Sequence, residues 1–161
     1  MREILFRAKA INRDLNRGYR TKYKNGDWVY GLLTREKNEE FPILCAQMTN
    51  ICGISDIDVD GDTVGQYTGV KDKNNDEIFD GDIIFLEEEH LYGKVCWENL
   101  CWYVYWYGWI DKEGLGTVYD IVNENPLSDE LLTSEDKIWL PVIGNIYDNP
   151  EMLKGENLYG Q

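Results

Sequence analysis

Carboxylates are the side chains whose spacing could most readily do chemistry in this chain, and they gather in 56-DIDVDG-61, in 72-DKNNDE-77 and in Asp80-Gly81-Asp82. Oxygen ligands at positions 1, 3 and 5 with glycine at 6 open a calcium loop, and Asp56, Asp58, Asp60 and Gly61 meet that opening. The match ends there. Position 8 is Thr63, and position 12, where a bidentate Glu is needed, is Tyr67. The register that starts at Asp72 puts Glu77 at the glycine position and Ile83 at the closing Glu. Asp80 and Asp82 could in principle share general acid–base work, but no nucleophile or histidine stands near them in sequence. The three clusters therefore read as turns, in which Asp and Asn bond their own backbone and tolerate left-handed conformations.

The remaining reactive residues form no constellation. His90 is the single histidine and closes the acidic run 87-EEEH-90, which reads as a solvated loop. Cys45, Cys52, Cys96 and Cys101 contain no CxxC pair, so they read as reduced thiols in a reducing compartment. Gly114-Leu115-Gly116 lacks the rest of a phosphate loop. No residue is assigned a catalytic, cofactor-binding or metal-ligating role, and no cofactor is expected.

The most unusual stretch is 96-CWENLCWYVYWYGWI-110. Read as one strand from Leu100, it puts Leu100, Trp102, Val104 and Trp106 on one face, with Cys101, Tyr103, Tyr105, Tyr107 and Trp109 on the other. Both faces are apolar or aromatic, so such a strand lies between two layers or buries its second face in a subunit interface. Trp102, Tyr103, Tyr105, Trp106, Tyr107 and Trp109 are accordingly the candidate interaction surface. A stacking platform for bases or sugars is the rival reading, and it lacks cations, Lys94 and Lys112 being the nearest.

The elements that must position these residues read as short strands. At 161 residues, 43% of them apolar, the chain can bury a core, and six Trp with eleven Tyr set it apart from disordered sequences despite a net charge of −14. No transmembrane run and no signal peptide are visible, which makes a cytoplasmic location the default. Residues 2–10 and 41–48 are strand candidates, and Tyr19–Tyr23 with Trp28–Thr34 reads as a hairpin around Asn25-Gly26. From Asp56 onward, segments 64–70, 77–79, 83–88, 93–97 and 102–110 alternate with Asp/Asn/Gly turns. A helix is expected after Pro126 and Ser128, a last strand over 138–147, and one closing helical turn at Pro150. The fold expectation is mainly β, a small SH3-like or related barrel with one or two short helices, with α+β as the alternative. Residues 1–24 carry eight Lys/Arg against Glu3 and Asp14, a balance of +6 that leaves −20 for the rest. The division expected from this is a basic N-terminal β segment over 1–55 and an acidic barrel-like domain over 56–161. The acidic bulk argues against direct nucleic-acid binding.

Three segments carry a resemblance. Arg2, Ile4, Phe6 and Arg7 open the chain; Gln66, Tyr67, Thr68, Gly69, Asp72 and Asn74 form a central block followed by Asp80, Gly81, Asp82 and Ile83; 144-GNIYDNPE-151 closes it. In these residues the chain resembles the YopX-like proteins of bacteriophages and prophages across nearly its whole length. The resemblance implies a phage-derived, cytoplasmic, oligomeric protein, and it brings no catalytic residues with it. The expected function is a non-enzymatic homo-oligomeric interaction or assembly module, with a host or phage protein as a further partner. Its alternatives are an acidic decoy for a host nucleic-acid-binding protein, and a small metal-dependent hydrolase using Asp72, Asp76, Asp80 or Asp82.

Overall fold

The computed structural model describes residues 4–11, 23–34, 43–47, 54–112, 116–127 and 137–155. Among these residues eleven strands account for nearly all of the regular structure, so the chain is mainly β. Its packing divides it into two compact units, Met1–Tyr67 and Thr68–Gln161.

The first unit is an antiparallel sheet of β1 (Phe6–Lys9), β2 (Trp28–Thr34), β3 (Ile43–Gln47) and β4 (Ile54–Asp58), in the order β4-β3-β2-β1. On the free side of β1 lie the first residues of β5 (Gly65–Lys71), with Gly65 opposite Arg7 and Gln66 opposite Phe6. Alternation along β1 explains its two faces. Ala8 is fully buried and packs with Ala10, Val29, Ile57 and Val59, while Arg7 and Lys9 turn the other way and bracket the Trp28 ring, at 4.7 Å and 5.4 Å from its centroid. Asn25-Gly26 does precede β2, but it closes on β1: the Gly26 N–H donates to the Ala10 carbonyl and the Ala10 N–H to the Asp27 carbonyl, each at 2.9 Å. The hairpin expected with Tyr19–Tyr23 rests on residues of which 19–22 lie outside the described ones. After β4, Asp60 caps a single 3-10 turn, Gly61–Thr63, by accepting from the Asp62 N–H.

The second unit has two layers. One is a five-stranded antiparallel sheet in the order β10-β9-β8-β7-β11, made of β7 (Asp82–Leu86), β8 (Leu91–Glu98), β9 (Cys101–Lys112), β10 (Gly116–Pro126) and β11 (Val142–Asn145). The other is the pair formed by the end of β5 with β6 (Glu77–Phe79). Val70 and Ile78 from that pair share one core with Ile84, Val95, Trp102, Val104 and Trp106 of the sheet, closed by Ile138 and Leu140. At roughly 25 cal/mol per Å² of apolar area, the two tryptophans are the largest single contributors to this core.

No closed barrel forms among the described residues, which corrects the SH3-like expectation. The sheet ends at β10 and β11, and both edges are blunted locally. β10 is bulged between Ile121 and Asn123, and the side chains of Asp120 and Asn123 accept from the Ile121 and Glu124 N–H groups at 2.8 and 2.9 Å. β11 is only four residues long and carries its own irregularity between Val142 and Gly144. Pro126, expected at a helix start, is the last residue of β10, and residues 128–136 lie outside the described ones. The closing turn does form, as the 3-10 helix Pro150–Leu153.

The β8–β9 hairpin turns on Asn99 and Leu100, both at positive φ (49° and 66°). Two-residue hairpins of the primed type need that geometry and favour glycine for it. Leu100 is thus in the turn and not on the strand face expected for it, and it is 88% exposed. Leu100→Gly should stabilise the hairpin by about 1 kcal/mol, since a β-carbon at left-handed φ costs that order and the leucine buries nothing in return. A rise of a few degrees in the thermal midpoint is the expected readout; an unchanged or lower midpoint would show that Leu100 contributes packing.

Candidate functional site

The central acidic stretch is a structural clasp. Asp72 is fully buried, and its Oδ1 accepts from the Asn74 and Asp76 N–H groups at 2.8 and 2.9 Å. Its Oδ2 accepts from the Val142 N–H at 3.0 Å and from the Asn74 side-chain amide at 3.3 Å. Four donors around one carboxylate leave little lone-pair capacity for a metal or a substrate proton. Asp82, 1% exposed, accepts from the Phe79 N–H at 2.8 Å. Gly81 between the two acids sits at φ +82°, where its missing Cβ also leaves room for Ile146 and Tyr147 at 3.3 Å. Thr68 completes the block by donating to the Ile78 carbonyl at 2.9 Å. Asp76 is exposed and Asp80 half-buried, so the four acids do not converge on a shared cavity.

The C-terminal signature is built the same way. The Asn145 Oδ1 accepts from the Tyr147 and Asp148 N–H groups, both at 3.0 Å, and its amide donates to Asp148 Oδ2 at 3.0 Å. Asn149 closes the loop by accepting from the Asn145 N–H at 3.3 Å and donating its own N–H to the Asn145 carbonyl at 2.9 Å. A Cβ on Gly144 would overlap the Asn149 side chain, which explains the glycine. His90 lies at the end of the 87–90 turn at φ 54° and stacks on Phe85 at 6.5 Å. Among the described residues no three His, Cys, Asp or Glu side chains group as metal ligands.

The outer face of the sheet is open to a partner. β9 divides its residues as the alternation requires: Trp102, Val104 and Trp106 go into the core, whereas Tyr103, Tyr105 and Tyr107 are half-exposed and Trp109 is 42% exposed. The six candidate interaction residues are therefore not one surface. Trp102 and Trp106 hold the unit together, and the other four line its outside. Their rows are completed by the neighbouring strands, with Cys96 and Pro126 flanking Tyr103, Lys94 and Glu124 flanking Tyr105, and Tyr92 and Ile121 flanking Tyr107. The outward rings contact one another: Tyr103 with Tyr105 at 6.4 Å, Tyr107 with Tyr119 at 6.5 Å, Trp109 edge-on to Tyr119 at 5.4 Å. β10, which supplies Pro126, Glu124, Ile121 and Tyr119, escaped the sequence reading. Its signal was Val118, Ile121 and Val122 among polar residues.

The chain covers one end of this face itself. The Tyr119 hydroxyl donates to the Met152 carbonyl at 3.0 Å, and Gly155 lies against the Tyr119 ring. At the other end the Tyr105 hydroxyl donates to the Glu98 carboxylate, which pushes its pKa well up, and burial pushes the Cys96 thiol up and away from a reactive thiolate. Tyr119 is pushed up to about 12, by burial first and then by Tyr92 and Tyr107. The folded chain thus keeps a neutral phenol where the unfolded chain, with the ordinary value of 10.0, has lost the proton. Stability from this group is whole below pH 10.0 and is lost as pH rises through about 12. The urea midpoint should fall across that window, and Tyr119→Phe should flatten the fall; an equal slope in both proteins would place its cause elsewhere.

The chain matches the family model described as YopX protein over residues 17–154. No curated protein and no solved structure matches it. Among the described residues no helix is long and apolar enough to cross a membrane.

Proposed function

From the premise that this chain belongs to the YopX protein family, we propose that it is a non-enzymatic interaction module that self-associates through the outer face of β9. It acts in the cytoplasm of a bacterial host as a prophage product, and a host or phage protein is its further partner. One observation carries the reading: a single strand spends one face on its own core and presents Tyr103, Tyr105, Tyr107 and Trp109 on the other. Interface cores are enriched in Tyr and Trp because these rings bury a large area at little cost in conformational freedom.

The charge distribution favours a protein partner over nucleic acid. Thr68–Gln161 has six Lys/Arg against twenty Asp/Glu, a net −14, whereas Met1–Tyr67 has ten of each. A face with Lys94 as its only described cation would repel phosphates. The non-enzymatic part is supported by the clasp, in which Asp72 and Asp82 already serve backbone N–H groups. The same burial weighs against the hydrolase alternative. The test is size-exclusion chromatography with light scattering from micromolar to several hundred micromolar protein. A concentration-dependent dimer or larger species is expected, and a strict monomer throughout would remove the reading.

A further inference from the structure

We propose that the self-associating partner is a second copy stacked face to face, on a twofold axis running along β9, with Lys94 of each copy over Glu124 of the other. The inference rests on the self-association read above and adds its geometry. Tyr105 pairs in register with Lys94 on β8 and with Glu124 on β10, so the three residues form one row across the sheet, cation, ring, anion. The flanking rows, Cys96–Tyr103–Pro126 and Tyr92–Tyr107–Ile121, hold no carboxylate, amine or guanidinium, and the Glu98 carboxylate farther along β8 is already held by the Tyr105 hydroxyl. The Lys94–Glu124 row is therefore the charged feature that decides how two such faces meet.

Two sheets packed face to face, about 10 Å apart and with strands near-aligned, can be related by a twofold axis along the strands or across them. An axis across the strands, through the Tyr105 row, puts Lys94 over Lys94 and Glu124 over Glu124. That arrangement buries like charges and is disfavoured. An axis along β9 exchanges the two sides of the sheet, because β8 of one copy then lies over β10 of its partner. Lys94 meets Glu124 twice, Tyr105 stacks on Tyr105, and Cys96 meets Pro126 where Tyr103 meets Tyr103. Edge pairing along this part of β10 is disfavoured, because the Ile121 and Glu124 N–H groups are already bonded to Asp120 and Asn123. The Pro150–Leu153 turn, reached by the Tyr119 hydroxyl, stands at the far end of the face and limits the contact to the Tyr103–Tyr107 stretch. A contact of this size falls below the roughly 800 Å² per partner of a standard interface, so a reversible dimer is expected.

The experiment uses the full chain and two charge reversals, K94E and E124K, at positions whose side chains reach solvent. Each variant alone brings like charges together at both crossings and should dissociate at least tenfold more readily than the unaltered protein. Mixed in equal amounts they should recover a dimer, because the heterodimer pairs Glu with Lys at both crossings, and fluorescence-labelled K94E should bind E124K in preference to itself. Thermal midpoints near that of the unaltered protein confirm that both variants fold. If the unaltered protein self-associates and either single variant does so equally well, the proposed axis is wrong and the self-association stands. Singles that are monomeric and fail to recombine overturn the axis equally. An unaltered protein that stays monomeric at several hundred micromolar removes the self-association itself.

Discussion

Asp72→Ala should destabilise the Thr68–Gln161 unit by about 3 to 5 kcal/mol, the largest loss expected from a single polar substitution among the described residues. The carboxylate accepts from three backbone N–H groups and one side-chain amide in a fully buried position. Removing it leaves the Asn74, Asp76 and Val142 N–H groups facing a small void without an acceptor. Each hydrogen bond to a charged group is worth about 1.5 to 3 kcal/mol, and the losses do not add because a relaxed turn can admit water. A unit of this size loses about 4 to 8 °C in thermal midpoint per kcal/mol, so the drop should exceed about 12 °C. Asp72→Asn keeps the shape but turns an NH₂ group toward two of the four donors, and should recover only part of the loss. A drop below about 4 °C for the alanine variant would mean that the clasp is dispensable. Calcium, magnesium or manganese should leave the midpoint of the unaltered protein unmoved, since a metal would have to displace those donors.

Trp106→Ala and Tyr105→Ala, one residue apart, should have opposite consequences. Trp106 is 4% exposed and belongs to the core with Val95, Val104 and Ile84, so its truncation should cost about 3 to 5 kcal/mol in transfer and cavity terms. Tyr105 faces outward and makes one hydrogen bond, to Glu98. Its truncation should leave the denaturant midpoint close to that of the unaltered protein, while abolishing dimer formation at concentrations where the unaltered protein associates. Denaturant midpoints and light scattering on the same two variants separate the roles. If Tyr105→Ala unfolds the unit, or leaves association intact, the outer face is not an interaction surface.

The strands with clear alternation were legible from the sequence because period-2 burial depends only on neighbouring residues. β9 is the best case: the division of Trp102, Val104 and Trp106 from Tyr103, Tyr105 and Tyr107 follows from spacing alone. The composition of the face was legible too, but not the sharing of its residues between core and surface, since which side of a doubly apolar strand is covered depends on distant segments. Here the cover is Val70, Ile78, Ile138 and Leu140, between 26 and 36 positions away from Val104 in the sequence. The barrel expectation failed for the same reason. Closure is decided at the two edges, and Asp120 and Asn123 block one of them through bonds to the next residue's N–H, which no pattern of hydrophobicity reports. Leu100 was misplaced onto the strand because a leucine gives no turn signal. The acids were read as turn residues for the right physical reason, yet only the folded chain reveals that Asp72 also reaches Val142.

That reach has a temporal side. The Asp72 carboxylate and the Val142 N–H are 70 residues apart in sequence, and around them the Ile138 N–H donates to the Lys71 carbonyl and the Lys73 N–H to the Leu140 carbonyl. On a translating ribosome the two halves of this seam are made seconds apart, at roughly 5 to 20 residues per second, and the later half must also clear the exit tunnel. Until then the Asp72 carboxylate has its partners within the 72–76 turn but lacks the Val142 N–H, and β7, β8 and β9 wait with one face uncovered. The unit should therefore complete its fold only once residue 142 has left the exit tunnel, and a nascent chain stalled before that residue should remain sensitive to protease.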